Sequence, residues 1–179
     1  FHMSSGVRVI FNDPRRFGYM TLINTATMHL HPWFAGLGPE PLSDAFDADH
    51  LKAAFKDRKQ GPKTLLLDQR IVAGLGNIYV CEALNRARIS PFKPAGGISA
   101  ARLAKLVPEI KAVLAEAIEA GGSTLRDFAQ ADGALGYFQH RFRTYDREGE
   151  PCRNPGCKGV IDRQVQAGRS TFYCPVCQK

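Results

Sequence analysis

Apolar and polar positions alternate differently along three parts of this chain. Residues 7–12 (VRVIFN) and 18–23 (GYMTLI) are β-prone runs on either side of Asp13-Pro14-Arg15-Arg16-Phe17-Gly18, the pattern of two strands around a turn. From residue 47 to about 120 the apolar residues instead recur at helical spacing. β-Prone runs return at 160–163 and 169–173, with Gln166-Ala167-Gly168 as the turn between them. A hairpin alone is marginal in water. Residues 7–23 are therefore expected to be the remnant of a larger sheet whose preceding strands lie outside the chain. Residues 24–46, rich in Pro and Gly, read as a linker leaving it.

Four helices are predicted in the middle stretch. Asp47 is placed to cap one reaching about Arg58, with Leu51, Ala54 and Phe55 on one face. Pro62 suits the first position of a short second helix that buries residues 65–67. The glycine-rich turn at 72–76 delivers Asn77 as the N-cap of a third, reaching about Arg86. Ser99 caps the longest, marked by Leu103, Leu106, Val107, Ile110, Leu114 and Ile118 and ended by Gly121-Gly122. Pro108 interrupts that pattern at a cost of roughly 3 kcal/mol, so a kink or two abutting helices is expected there. Residues 130–139 lack periodicity and are expected to form a mobile loop.

Cysteine spacing adds a constraint that the pattern lacks. Cys152 and Cys157 form a C-x₄-C pair and Cys174 and Cys177 a C-x₂-C pair, with sixteen residues between the pairs. Two knuckles joined by a hairpin bring four thiolates onto one tetrahedral, structural Zn²⁺. Two disulfides or four unrelated buried thiols are the other readings. Cys81, inside a helical pattern, reads as a small buried residue.

Charge narrows the class of partner. The chain carries a formal net charge of +7, and residues 137–179 hold eight Arg and Lys against four Asp and Glu. An excess of this kind suits a polyanion. No run approaches the length of a membrane span, the first residues lack signal-peptide character, and the cysteine usage fits a reducing cytosol.

Three stretches could carry chemistry. The third helix would offer the N–H groups of Asn77, Ile78 and Tyr79 to an anion, with Lys63 and Arg58 adding charge; an ordinary packed helix end is the alternative. Arg15 and Arg16 beside Phe17 suit a base edge, a phosphate or a base step, or else form a solvated turn. Arg169 at the tip of the metal-stiffened hairpin could reach into a groove, or be a plain surface arginine. His29, His31, His50 and His140 show no ligand spacing.

DPRRFG (13–18), LGPEPLSD (37–44), LLLDQRIVAGLGNIYVCEAL (65–84), GGSTLRDF with DGALGYFQ (121–139) and the cysteine ribbon together resemble the bacterial formamidopyrimidine-DNA glycosylases. The resemblance runs over essentially the whole chain. It implies an α+β fold, mainly α: a remnant β-hairpin and linker of an N-terminal β-sandwich domain (1–42), a helix–two-turn–helix DNA-binding domain with a lesion loop (43–147), and a zinc finger (148–179). It implies base-excision repair of oxidised purines, with duplex DNA carrying such a lesion or an abasic site as partner, and a monomer in the bacterial cytoplasm associated with the nucleoid. By the same resemblance Asn77 and Lys63 hold phosphates flanking the lesion and Arg58 adds a DNA contact. Arg15 faces the orphaned cytosine, Arg16 the backbone, and Phe17 wedges beside the opposite base. The 130–139 loop closes over the extruded base, and Tyr145 touches backbone near the lesion. Arg169 meets the kinked strand from the side opposite Asn77 and Lys63 and takes part in δ-elimination.

The family's nucleophile, an N-terminal proline amine followed by an acid, has no counterpart at Phe1. The chain is therefore expected to bind DNA without cutting it. A stand-alone zinc-ribbon module, or a relative of the endonuclease VIII branch acting on oxidised pyrimidines, is the alternative.

Overall fold

The computed structural model describes residues 1–13, 16–125 and 133–179. The chain divides into two compact units, Phe1–Ala35 and Gly36–Lys179. The division falls before residue 42, and the ribbon at 148–179 packs into the same unit as the helices rather than forming a third body.

In the first unit the expected strands are not formed. Among its described residues there is one isolated antiparallel bridge, His2 with Arg8, and a 3₁₀ turn at Thr25–Leu30 capped by Asn24. Val7, Ile10 and Leu22 are exposed, Leu22 completely. A pair of strands with no covered face loses too little water-exposed apolar area to hold a ladder. The ordered contacts are local: Trp33 meets Tyr19 edge-on at 4.7 Å and His31 at 5.1 Å.

The second unit is built on four helices, α1 (Ala48–Phe55), α2 (Pro62–Leu66), α3 (Asn77–Arg86) and α4 (Ala100–Glu119). Asp47 Oδ1 accepts the His50 N–H at 2.7 Å and starts α1. The helix stops at Phe55, short of Arg58, where Asp57 turns left-handed at φ 58°. Gly121 and Gly122, at φ 71° and 90°, end α4. Ser99 precedes α4 but makes no side-chain cap hydrogen bond. Pro108 does not split α4, which runs unbroken through it. Pro108 and Ala104 both face solvent, so the carbonyl that loses its helical partner there can be served by water.

Phe46, Leu51 and Phe55 from the α1 region meet Leu103, Leu106 and Ile110 of α4 and Leu65, Leu66, Val80 and Leu84 of α2 and α3, all buried. Of the loop expected at 130–139, residues 133–135 are exposed and without regular structure, whereas its end is tied down. Phe138 is fully buried there, and the N–H groups of Tyr137 and Phe138 bond the carbonyls of Ala120 and Gly122 at 2.9 and 3.0 Å. Residues 130–132 lie outside the described residues.

Two antiparallel strands, β1 (Asp162–Gln166) and β2 (Arg169–Tyr173), form the C-terminal hairpin. Ala167 and Gly168 both have positive φ, 49° and 73°, the backbone of a two-residue turn matched to strand twist. Gln166 pairs with Arg169 at its tip. β2 lies against α3. No described helix is long and apolar enough to cross a membrane.

Candidate nucleic-acid interface and metal centre

The four cysteines of the ribbon converge. Their Sγ atoms all lie within 4.8 Å of one another, with Cys152–Cys177 at 3.8 Å and Cys157–Cys174 at 3.6 Å. A disulfide needs about 2.05 Å, whereas a tetrahedron with Zn–S bonds of about 2.3 Å has edges of about 3.8 Å. The disulfide reading therefore fails and the zinc reading fits. Burial pushes the Cys177 thiol up to about 12 and the Cys174 thiol upward, while the Gly159 N–H beside Cys157 draws that thiol down. A dication offsets the cost of holding all four as thiolates. Asn154 Nδ2 and Gly159 N–H each donate to a ligand sulfur at 3.3 Å, orienting Cys177 and Cys157. Gly159 is required here, because a β-carbon would collide with Cys174 Sγ and Val176.

A chain of buried amides ties the ribbon to α3. Asn85 Nδ2 donates to Gln178 Oε1 at 2.9 Å, and Asn154 Nδ2 donates to the Asn85 carbonyl at 2.8 Å. Gln178 Nε2 donates to the Ile89 carbonyl at 2.9 Å, while its Oε1 also accepts the Cys174 N–H at 2.7 Å. Asn85, Asn154 and Gln178 are all buried. One turn earlier on α3, buried Glu82 accepts three backbone N–H groups, from Arg143, Thr144 and Tyr145, at 2.8–2.9 Å. Tyr145, half-buried, meets Phe142 edge-on at 5.6 Å and Phe172 at a tilt at 4.9 Å, and so joins the helical core to the ribbon core. None of Glu82, Asn85, Asn154 or Gln178 stands out in the sequence; a helical Glu followed three residues later by Asn reads as solvated polarity.

Helix α3 also carries the predicted anion site. Gly76, not Asn77, is the N-cap, and Asn77 is the first helical residue. Gly74 (φ 74°) and Gly76 have open space where a β-carbon would stand, so the described chain does not crowd the turn at these two positions. The first hydrogen bond back into the turn is Val80 N–H to the Gly76 carbonyl at 3.0 Å, which leaves the N–H groups of Asn77, Ile78 and Tyr79 ahead of it. Asn77 Nδ2 points the other way and donates to the Ser170 carbonyl on β2 at 3.0 Å.

Lys63 does not face outward. It is 1% exposed, and its Nζ donates to Thr171 Oγ1 at 2.7 Å and the Ser170 carbonyl at 3.1 Å. Burial lowers its pKa, Cys81 nearby raises it, and the Arg169 charge lowers it further. Arg169 follows the turn and is exposed. Asn77 and Lys63 thus share the Ser170 carbonyl, one residue beyond the exposed Arg169. Arg58 is exposed in a cleft with His50, Gln60 and Arg70. Arg16 and the 81% exposed Phe17 belong to the first unit, where the Asp13 carbonyl accepts the Arg16 N–H at 3.2 Å. Arg15 lies outside the described residues.

Residues 37–129 match the family model described as the formamidopyrimidine-DNA glycosylase H2TH domain, and residues 149–179 the zinc finger found in FPG and IleRS. The chain belongs to the formamidopyrimidine-DNA glycosylase family. A formamidopyrimidine-DNA glycosylase of Phenylobacterium zucineum (strain HLK1) is 80% identical over 179 residues, all of this chain and 62% of that protein. The MutM (Fpg) protein from Thermus thermophilus superposes with a TM-score of 0.83 at 47% identity, over 93% of this chain and 62% of the other. The Lactococcus lactis enzyme, solved non-covalently bound to DNA containing an AP site, gives 0.81 at 35% identity, over 93% and 60%. The chain therefore spans about three-fifths of the curated relatives it matches. Family and geometry agree on the ribbon, whose four cysteines hold one structural zinc with no position left for water.

Proposed function

We propose that this chain is the DNA-gripping part of a bifunctional glycosylase and AP lyase that removes oxidised purines such as formamidopyrimidines in base-excision repair. The observation that carries the reading is the hydrogen bond from Asn77, the first residue of α3, to the Ser170 carbonyl beside the exposed Arg169 on the zinc hairpin. A phosphate would sit on the N–H groups of Asn77, Ile78 and Tyr79, where the helix end is positive and glycines leave room for it. Arg169 would clamp the same strand from the hairpin, and exposed Arg58 would extend the track. Arg15 would face the orphaned cytosine and Phe17 wedge beside the opposite base, with Arg16 on the backbone. Tyr145, fixed from behind by Glu82, would touch backbone near the lesion.

The chain supplies grip rather than a nucleophile. The amine at this site, Lys63 Nζ, is buried and directed at two oxygens of β2, so it is not presented to a sugar carbon. The partner is duplex DNA in the bacterial cytoplasm, bound by one copy of the chain.

Fluorescence anisotropy with a duplex carrying a tetrahydrofuran abasic analogue tests the reading. Binding should exceed that of the undamaged duplex and weaken steeply with salt. Borohydride should trap no covalent adduct with an 8-oxoguanine duplex. Equal, salt-insensitive binding of both duplexes would remove the DNA-gripping role, and a trapped adduct would remove the division of labour.

A further inference from the structure

We infer that Lys63 acts on DNA only through Arg169: it is a positioning residue whose buried ammonium clamps the hairpin tip, not a phosphate contact. The inference rests on the DNA-gripping role proposed for Arg169.

Three features lead to it. First, Lys63 is sealed off. Its side chain is 1% exposed, and its two oxygen partners, at 2.7 and 3.1 Å, are both on β2. To reach a phosphate it would have to abandon both and leave Thr171, itself fully buried, without this donor.

Second, the clamp continues through the strand pair. Thr171 Oγ1 donates to Gln166 Oε1 at 3.3 Å, and Gln166 Nε2 donates to the Pro91 carbonyl at 3.0 Å. Gln166 is the residue paired with Arg169 across the turn. The tip is therefore gripped on both flanks of Ala167-Gly168, at Gln166 on one strand and at Ser170-Thr171 on the other. Gly61, immediately before α2, allows this approach, since a β-carbon there would overlap the Pro91 carbonyl and crowd Gln166 Nε2.

Third, a charged donor suits the task. The Ser170 carbonyl already accepts Asn77 Nδ2 at 3.0 Å, and two donors on one carbonyl hold the Ser170–Thr171 peptide, one residue beyond Arg169, from two helices at once. Charge-assisted bonds are the stronger kind. Arg169 can then reach outward from an immobilised backbone, which lowers the entropy lost when it binds.

A double-mutant cycle on the zinc-loaded chain decides the matter, read by anisotropy on the tetrahydrofuran duplex across a salt series. Lys63→Met and Arg169→Ala should each weaken binding about tenfold, the scale of one charge-assisted hydrogen bond. The double variant should be no weaker than Arg169→Ala alone, and its salt slope no shallower. A double variant weaker by the product of the two losses, with the slope reduced by about one more unit, would make Lys63 a direct contact and overturn the inference. Thr171→Val gives an independent arm, because a fully buried side chain cannot touch DNA. It should weaken binding in the wild-type background and add nothing to Arg169→Ala; full retention of affinity would count against the clamp.

Amide hydrogen exchange without DNA separates the two proposals. Lys63→Met should speed exchange in β1 and β2, and unchanged exchange overturns the clamp. Faster exchange together with an Arg169→Ala variant that binds as wild type would leave the clamp standing and sink the DNA role of Arg169 instead.

Discussion

The Glu82 carboxylate accepts the Tyr145 backbone N–H at 2.8 Å, joining the middle of α3 to the segment that leads into the zinc ribbon. The same carboxylate also accepts from Thr144 and Arg143, both at 2.9 Å, and is fully buried. Only an acceptor-only group can face three N–H donors. Glu82→Gln turns one oxygen into an NH₂ aimed at a donor and should lower stability by about 2 kcal/mol. Glu82→Ala should cost more, since all three N–H groups lose their partner. Urea midpoints at neutral pH measure both, and a Gln variant as stable as wild type would show that the carboxylate is not needed there.

Asn85 and Gln178 present the same logic with neutral groups. Their bond of 2.9 Å is buried, and each also serves the backbone or Asn154 on the ribbon side. Gln178→Ala would strand the Cys174 N–H and the Ile89 carbonyl together, a loss of about 2–3 kcal/mol. Because Cys174 is a ligand, the loss should also appear as faster zinc release to a chromogenic chelator. Unfolding that moves without any change in zinc release would separate the amide chain from the metal.

These contacts mark the limit of what the sequence discloses. Zinc is legible because ligand spacing is local: C-x₄-C and C-x₂-C around a hairpin leave few other geometries. The start of α1 at Asp47 and the end of α4 at Gly121-Gly122 are legible for the same reason. The direction of Lys63 is not, because it depends on β2, more than a hundred residues away, lying over α2. Glu82 escapes notice likewise, its partners standing 61–63 residues on. The strands expected at 7–23 fail on energetics, since alternation promises a ladder only where one face is covered. The break expected at Pro108 does not occur because its cost depends on which face of α4 it occupies, and it occupies the wet one.

Arg86 and Glu116 give a dependence on pH. Arg86 donates from both terminal nitrogens to the two Glu116 oxygens at 2.6 and 2.9 Å, and this holds the Glu116 carboxyl below its ordinary 4.5. A carboxylate lowered in the folded state stabilises that state fully above its unfolded value and loses the contribution as pH falls through the folded one. Glu116 is 39% exposed, so screening limits the pair to about 1 kcal/mol. Wild type should exceed Glu116→Gln by that amount at pH 7, with the gap closing below about pH 4.5. Paired denaturation series at each pH measure the gap, and a constant difference down to pH 3 would exclude ionisation of Glu116 as its source.

Removing zinc should melt the ribbon and leave the helices. The ribbon core comprises Cys152, Ile161, Phe172 and Cys174, with Tyr145 at its edge, so half of its buried members are themselves ligands. Such a cluster has too little apolar area to stay folded without the metal. The helical core of Phe46, Leu51, Leu84, Leu106, Ile110 and their neighbours uses no ligand at all. Chelation should therefore keep most far-ultraviolet helical signal and abolish the near-ultraviolet signal from Tyr145, Phe172 and Tyr173. It should also free Lys63 and Asn77 from Ser170, and DNA affinity should fall at least as far as in Arg169→Ala, because Arg169 loses its mount. Metal analysis should return one zinc per chain before treatment. Cooperative loss of helix together with the metal would mean instead that the ribbon supports the four helices, and that the amide chain through Asn85 carries stability in the opposite direction.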